Sequence, residues 1–253
     1  MKLAKTFKTG ISCFCFLWIT VHAASAYSAE AILTDLDRAY YYPEREGLRS
    51  MTASMKIEQL DPSTQSYFNL PAVRVVWSAE AQKIHFALND SEISGETAEY
   101  VLNVVENFRQ MIFPATLEKQ LESYQGALEK EPTGAVYAKF KARSKSSQIT
   151  DYKLWIDSAK RRIQRMQIAQ SDGPSPINIE FAYTNHNGKW RIEESRAQFN
   201  YDGYDFEENT HFSFEQEKEI WLVRKIEQKL KRNGILIQSY ILTLDPNQVS
   251  RRP

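Results

Sequence analysis

Residues 136–183 constrain the fold more than any other stretch of the chain. Four short segments follow one another there: VYAKFKAR, DYKLWID, RIQRMQI and INIEFAY. In the first, Val136, Ala138, Phe140 and Ala142 alternate with Tyr137, Lys139, Lys141 and Arg143. In the last, Ile177, Ile179, Phe181 and Tyr183 alternate with Asn178, Glu180 and Ala182. Successive side chains leave a strand on opposite sides, so this period of two marks strands with one buried face. Segments this short and this closely linked pair best with their neighbours, antiparallel, as a meander. The expected class is therefore mostly β (α+β): a curved antiparallel sheet, or an unclosed β-barrel, wrapped on helices.

The flanking segments extend that frame. Residues 28–41 carry Ala29, Ile32, Leu33, Leu36 and Tyr40 at helical spacing, with Ser28 as a cap and Pro43 and Gly47 beyond the end. In residues 48–60, Met51, Ala53, Met55 and Ile57 alternate with polar partners, and Asp61-Pro62-Ser63 reads as the closing turn. AVRVVW (72–77) and KIHFAL (83–88) read as a hairpin. A helical insert follows at about 93–128. Its first helix presents Ala98, Val101, Leu102, Val105, Phe108 and Ile112 on one face, with Ser94 as cap and Pro114 as breaker. A second helix is expected to carry Leu117, Leu121, Tyr124 and Leu128. The insert either fills an open side of the sheet or covers a cavity; the pattern allows both.

Beyond the central unit, His186-Asn187-Gly188 is a turn, and a strand starts at Lys189 and continues to, or is followed by another at, Ala197–Tyr201. Residues 202–209 read as an acidic, turn-rich link, with strand character resuming at His211. The segment IWLVRKIEQKLKRNG fits a helix through Leu222, Ile226 and Leu230, or a strand entering a type I′ turn at Asn233-Gly234. The hairpin is preferred, because its register sets Leu230 against Ile237 and Ile226 against Ile241 on one face.

The first 26 residues stand apart. Lys2, Lys5 and Lys8 precede an apolar run from Ile11 to Val21, and Ala24-Ser25-Ala26 is a small-x-small site. This is the layout of a secretory signal peptide cleaved after Ala26, and the run falls short of the ~20 residues that a membrane span needs. Both cysteines, Cys13 and Cys15, lie inside it. The remainder, 27–253, then has no disulfide, thiol nucleophile or thiolate metal site, which suits a bacterial periplasm. It reads as one domain, without a linker or repeat and with no stable membrane span. The 32 basic and 32 acidic residues of the whole chain are interspersed. That balance argues against a nucleic-acid surface, which needs a basic stripe.

Catalytic signatures are weak. His85, His186 and His211 lie at no metal-ligand spacing, and no cofactor motif is present, so no cofactor is expected. Glu193-Glu194 and Glu207-Glu208 are adjacent pairs, and neighbours on a strand face opposite ways. The aromatic residues say more. Trp77, Phe140, Trp155, Phe181, Tyr183, Trp190 and Phe199 are candidates for the inner face of a curved sheet, where they meet each other, a helix or an apolar guest.

The order of elements, with the strand pair containing Lys153-Leu154-Trp155-Ile156-Asp157 followed by Ile163 and Met166, resembles the LolA/LolB-like superfamily of periplasmic lipoprotein carriers, which includes the amino-terminal domain of RseB-type sensors. The resemblance implies an unclosed barrel around an apolar cavity that holds lipid or lipoprotein acyl chains, without catalysis. It also implies a cavity arginine, for which Arg49 and Arg74 are the candidates, and an envelope protein as a further partner. Two other functions stay open: a structural or partner-binding envelope protein with a filled core, and an envelope hydrolase using Glu193, Glu194 or His85.

Overall fold

The computed structural model describes residues 28–251 apart from 82, 91, 94, 133–135 and 175. The expected signal segment and the Ser94 cap lie outside the described residues. The strands are β1 (Leu48–Asp61), β2 (Ser66–Ser78), β3 (Lys83–Leu88), β4 (Tyr124–Lys130), β5 (Val136–Ala142), β6 (Ile149–Asp157), β7 (Arg162–Gln170), β8 (Ile177–His186), β9 (Lys189–Tyr201), β10 (Tyr204–Glu217), β11 (Ile220–Arg232) and β12 (Ile235–Arg251). The helices are α1 (Ala29–Ala39), α2 (Glu96–Asn107), α3 (Arg109–Ile112) and α4 (Leu117–Gln120).

All twelve strands belong to one antiparallel sheet in the order β3-β2-β1-β12-β11-β10-β9-β8-β7-β6-β5-β4. The chain thus begins mid-sheet, beside its own last strand. The two edges, β3 and β4, are not paired with each other, so the barrel is unclosed. The link from one edge to the other is the helical insert, α2 to α4, which therefore runs along the open side. Curvature has local causes. The pairing of β1 with β2 and with β12 shifts register at several points, and Pro71 and Pro246 lie beside two of these shifts. A proline donates nothing to a ladder, and a bulge is where a sheet interior tolerates one and bends.

Three hairpin turns follow from their dipeptides. Asn187-Gly188, Asp202-Gly203 and Asn233-Gly234 all hold positive φ at both residues, the geometry that matches the twist of the strands they join. The central meander, β5 to β8, pairs as its alternation requires.

Three expectations are corrected. The second helix of the insert covers only Leu117–Gln120, and Tyr124–Lys130 is the edge strand β4. The apolar spacing of Leu117, Leu121, Tyr124 and Leu128 suits a helix, yet backbone pairing with β5 takes the second half. The link after β9 is only Asp202-Gly203; the acidic residues beyond it lie within β10, where Arg196 and Lys231 pair with Glu207. The β11–β12 hairpin forms, but Leu230 pairs with Gln238 and Ile226 with Leu242. A register shift two pairs past the turn, between Lys231 and Leu230, moves the partners by one position.

Two cores result. One packs α2, through Val101, Val104 and Val105, on β1 to β3, β11 and β12. The other packs α1, through Ala29, Leu33 and Leu36, on β5 to β7. Ser28 caps α1 as expected, its Oγ accepting from Ala31 N at 3.1 Å. The docking of α1 depends on Gly126 in β4. A Cβ there would meet Ala29 Cβ at 2.7 Å and Phe140 Cε1 at 2.9 Å, closer than packed carbons approach. Gly126→Ala should cost about 1–3 kcal/mol in urea unfolding, the usual range for overpacking. An unchanged midpoint would show that α1 does not seat this tightly.

Candidate functional site: a cavity between two cores

The two cores do not meet everywhere. Between them lies a cavity of about 470 Å³, within the range of small-molecule sites. Strands β6 to β8 contribute Tyr152, Leu154, Ile163, Met166, Ile168, Phe181 and Tyr183. Strands β9 to β11 contribute Trp190, Arg191, Ile192, Ser195, Phe212, Phe214, Trp221 and Val223. The segment after α1 supplies Tyr40 to Pro43, and the insert covers the space with residues of 110–121, including Met111, Ile112, Leu117 and Leu121. Both readings of the insert hold, in different halves: α2 fills one side of the sheet, and the residues after it cover the cavity.

Four tyrosine hydroxyls of this wall are spent on the frame. Tyr40 Oη accepts from Ile163 N at 2.8 Å and lies 3.1 Å from Tyr183 Oη. Tyr41 Oη accepts from Trp221 N at 2.7 Å, and Tyr42 Oη donates to Asp37. Burial pushes the Tyr40 and Tyr41 hydroxyls up to about 12, and raises those of Tyr42 and Tyr183. They stay neutral at any physiological pH, so the tyrosines add no charge to the wall.

Asp37 anchors the cover. Its carboxylate, on the buried face of α1, accepts from Leu117 N at 2.8 Å and Glu118 N at 3.0 Å, besides the Tyr42 hydroxyl. A four-residue helix such as α4 cannot hold its own place in water, so these bonds to its first turn matter.

The expected site residues divide. Phe181, Tyr183 and Trp190 meet at the cavity, Tyr183 lying 6.1 Å from Phe181 and 6.3 Å from Trp190 between ring centroids. Phe140 is core beneath α1. Trp77 is core too, stacked on Phe113 at 5.0 Å. Trp155 donates to Glu131 at 3.0 Å, with the Arg165 guanidinium 3.8 Å above its ring, away from the cavity. Phe199 stacks on Phe206 at 5.1 Å near the β9–β10 turn. Arg49 and Arg74 are exposed and line no part of the cavity. Alternation assigns Phe212 and Phe214 to one face, but it does not reveal Tyr40 to Pro43, which precede the first strand and reach the cavity through the fold. Nor does it single out Arg191.

His85, Glu193 and Glu194 are exposed, with His85 on β3 and the two glutamates on β9, far apart in the sheet order. Among the described residues no group of three or more His, Cys, Asp or Glu side chains could hold a metal. Among them, too, no helix is long and apolar enough to cross a membrane.

Two measurements probe this site. Asp37→Ala strands two backbone donors and a hydroxyl, so stability should fall by about 2–4 kcal/mol, with faster amide exchange at Leu117 and Glu118. Slow exchange retained at both would contradict the anchor. The tyrosine pKa values lie above the unfolded value near 10, so the neutral forms stabilise the fold. Urea midpoints should stay flat up to about pH 10 and fall between pH 10 and 12, where Tyr40 and Tyr41 ionise in the unfolded chain but not in the folded one. A flat profile to pH 12 would contradict burial of these hydroxyls.

No family model and no curated protein matches the sequence. Among solved structures the chain is similar to a LolA superfamily protein from Nitrosomonas europaea, with 10% identity, a TM-score of 0.35, and 89% of this chain and 94% of that one covered. It is similar also to a putative outer membrane lipoprotein-sorting protein domain from Vibrio parahaemolyticus, with 8% identity, a TM-score of 0.32, and 88% and 92% covered. A chain of the MucA/MucB complex of Pseudomonas aeruginosa aligns at 9% identity and a TM-score of 0.22, covering 89% and 99%.

Proposed function

We propose that this chain is a non-catalytic periplasmic carrier or sensor that holds the acyl chain of a lipid, a lipoprotein or another amphiphile in the cavity between its two cores. The observation that carries this reading is the cavity itself: about 470 Å³ bounded mostly by aliphatic and aromatic side chains, with its tyrosine hydroxyls already bonded. Each methylene moved from water into such a space gains ~0.8 kcal/mol. Ten methylenes give ~8 kcal/mol, which the ~4–15 kcal/mol cost of association largely offsets. Binding of that strength is reversible without chemistry, as a carrier requires. The expected signal segment and the absence of cysteine from residues 27–253 support the compartment.

A partner-binding role is the second reading. Leu128 and Val136 are exposed beside the edge strand β4, where backbone groups are open to another strand. The hydrolase reading has no such support, since its candidate residues do not converge.

Native mass spectrometry of protein taken from cells in mild detergent should show a co-purified amphiphile. Met166→Trp, which puts an indole into the cavity, should remove it while thermal stability changes by only a few degrees. Wild-type protein free of any adduct across several mild detergents would sink the carrier reading.

A further inference from the structure

Among the described residues, Arg191 is the one cationic side chain in the cavity wall. Its guanidinium lies over two rings, 4.8 Å from the Phe214 centroid and 4.4 Å from that of Trp221. Both rings line the same cavity. Nε and Nη1 are shielded from solvent and have no hydrogen-bond partner among the described residues. The same is true of Nε1 of Trp221. Three donor nitrogens of this wall thus lack an acceptor among the described residues.

Elsewhere in the wall, Trp190 Nε1 donates to Lys160 O at 2.7 Å. Arg162, which packs over Tyr183 and Trp190 but does not line the cavity, also has a shielded Nε without a hydrogen-bond partner among the described residues, yet it has a counter-ion in Asp157 at 4.0 Å. Arg191 makes no ion pair among the described residues; Glu193, two residues on, acts on it only at a distance. Burial lowers its pKa from the usual arginine value, which is the direction expected where a cation has lost water and gained no counter-ion. Unmet buried donors cost free energy, and a guanidinium cannot shed its proton to escape. A fold that keeps it there has left space for an acceptor. The rings on which it lies fix its plane, and a fixed fork suits the two oxygens of one anionic group.

We infer that Arg191, with Trp221, forms a head-group subsite for an anionic single-chain amphiphile, a carboxylate or phosphate whose alkyl tail occupies the cavity. This rests on the cavity-binding reading above and adds the chemistry of the head. A fatty acid and a phosphate-headed lipid would both satisfy it.

Calorimetric titration with decanoate, decyl phosphate and decanol separates the cases, using the wild-type chain, Arg191→Met and Trp221→Phe. In the wild type at least one of the two anions should bind ten-fold or more tighter than decanol, and whichever does so identifies the head group. Arg191→Met should weaken the anions at least ten-fold and decanol less than three-fold. Trp221→Phe keeps a ring beneath the guanidinium and removes one donor, so a two- to five-fold loss confined to the anions is expected. Should Arg191→Met fail to fold, the anion preference in the wild type and its reduction in Trp221→Phe decide the matter. Equal binding of all three ligands, or equal weakening by the substitutions, overturns the head-group subsite and leaves the cavity reading intact. No binding of any of the three overturns both.

Discussion

The pairing of β1 with β12 is the interaction on which the rest depends. It joins the first strand of the sheet to the last, with partners running from Leu48 and Arg251 to Gln59 and Tyr240. Strands far apart in sequence must find one another before either half of the sheet has a complete core, and closing so long a loop is slow and entropically costly. Once it forms, the two remaining edges are β3 and β4. The chain between them has nowhere to run but along the open side. The helical insert is therefore less an ornament on a sheet than the crossing that an unclosed barrel requires. Pro71 and Pro246, awkward in any regular strand, sit beside register shifts in this region and give the sheet its bend.

The cavity follows from the same arrangement. α2 is long enough to lay a stripe of valines over one half of the sheet. α1, entering before the sheet, lies over the other half and is fitted there by the absence of a side chain at Gly126. Neither helix reaches the middle. The cover there is a pair of four-residue helices and the chain between them, tied to α1 through Asp37. Short helices held by a few side-chain bonds are the least stable class of regular structure, and such elements open locally before a sheet does. A cavity whose walls are strands and whose cover is such a segment can admit a guest without disturbing the ladders.

Polarity in the wall is arranged in two ways. Hydroxyls of Tyr40, Tyr41 and Tyr42 meet backbone or carboxylate partners, and so contribute to the frame. Arg191 and Trp221 are left with donors to spare. Buried polar groups are normally satisfied in folded proteins, so two unmet groups that share one wall call for an explanation.

What could be read from the residues alone was local. The period-two alternation of Ile177 to Tyr183, the Asn-Gly dipeptides and the Ser28 cap act within a few residues, and each produced the expected strand, turn or helix start. The fold class followed, because short adjoining strands can pair only with neighbours. The register of β11 on β12 did not follow, since a single bulge beyond the turn shifts it. Nor did the strand at Tyr124–Lys130, whose apolar spacing suits a helix until β5 offers its backbone. Among the aromatic candidates, only Phe181, Tyr183 and Trp190 came to share the cavity, while Phe140 and Trp77 joined the cores. Which ring fills a core and which lines a void depends on what lies opposite it, and that partner is hundreds of residues of chain away or only a turn, according to a topology that no local pattern encodes.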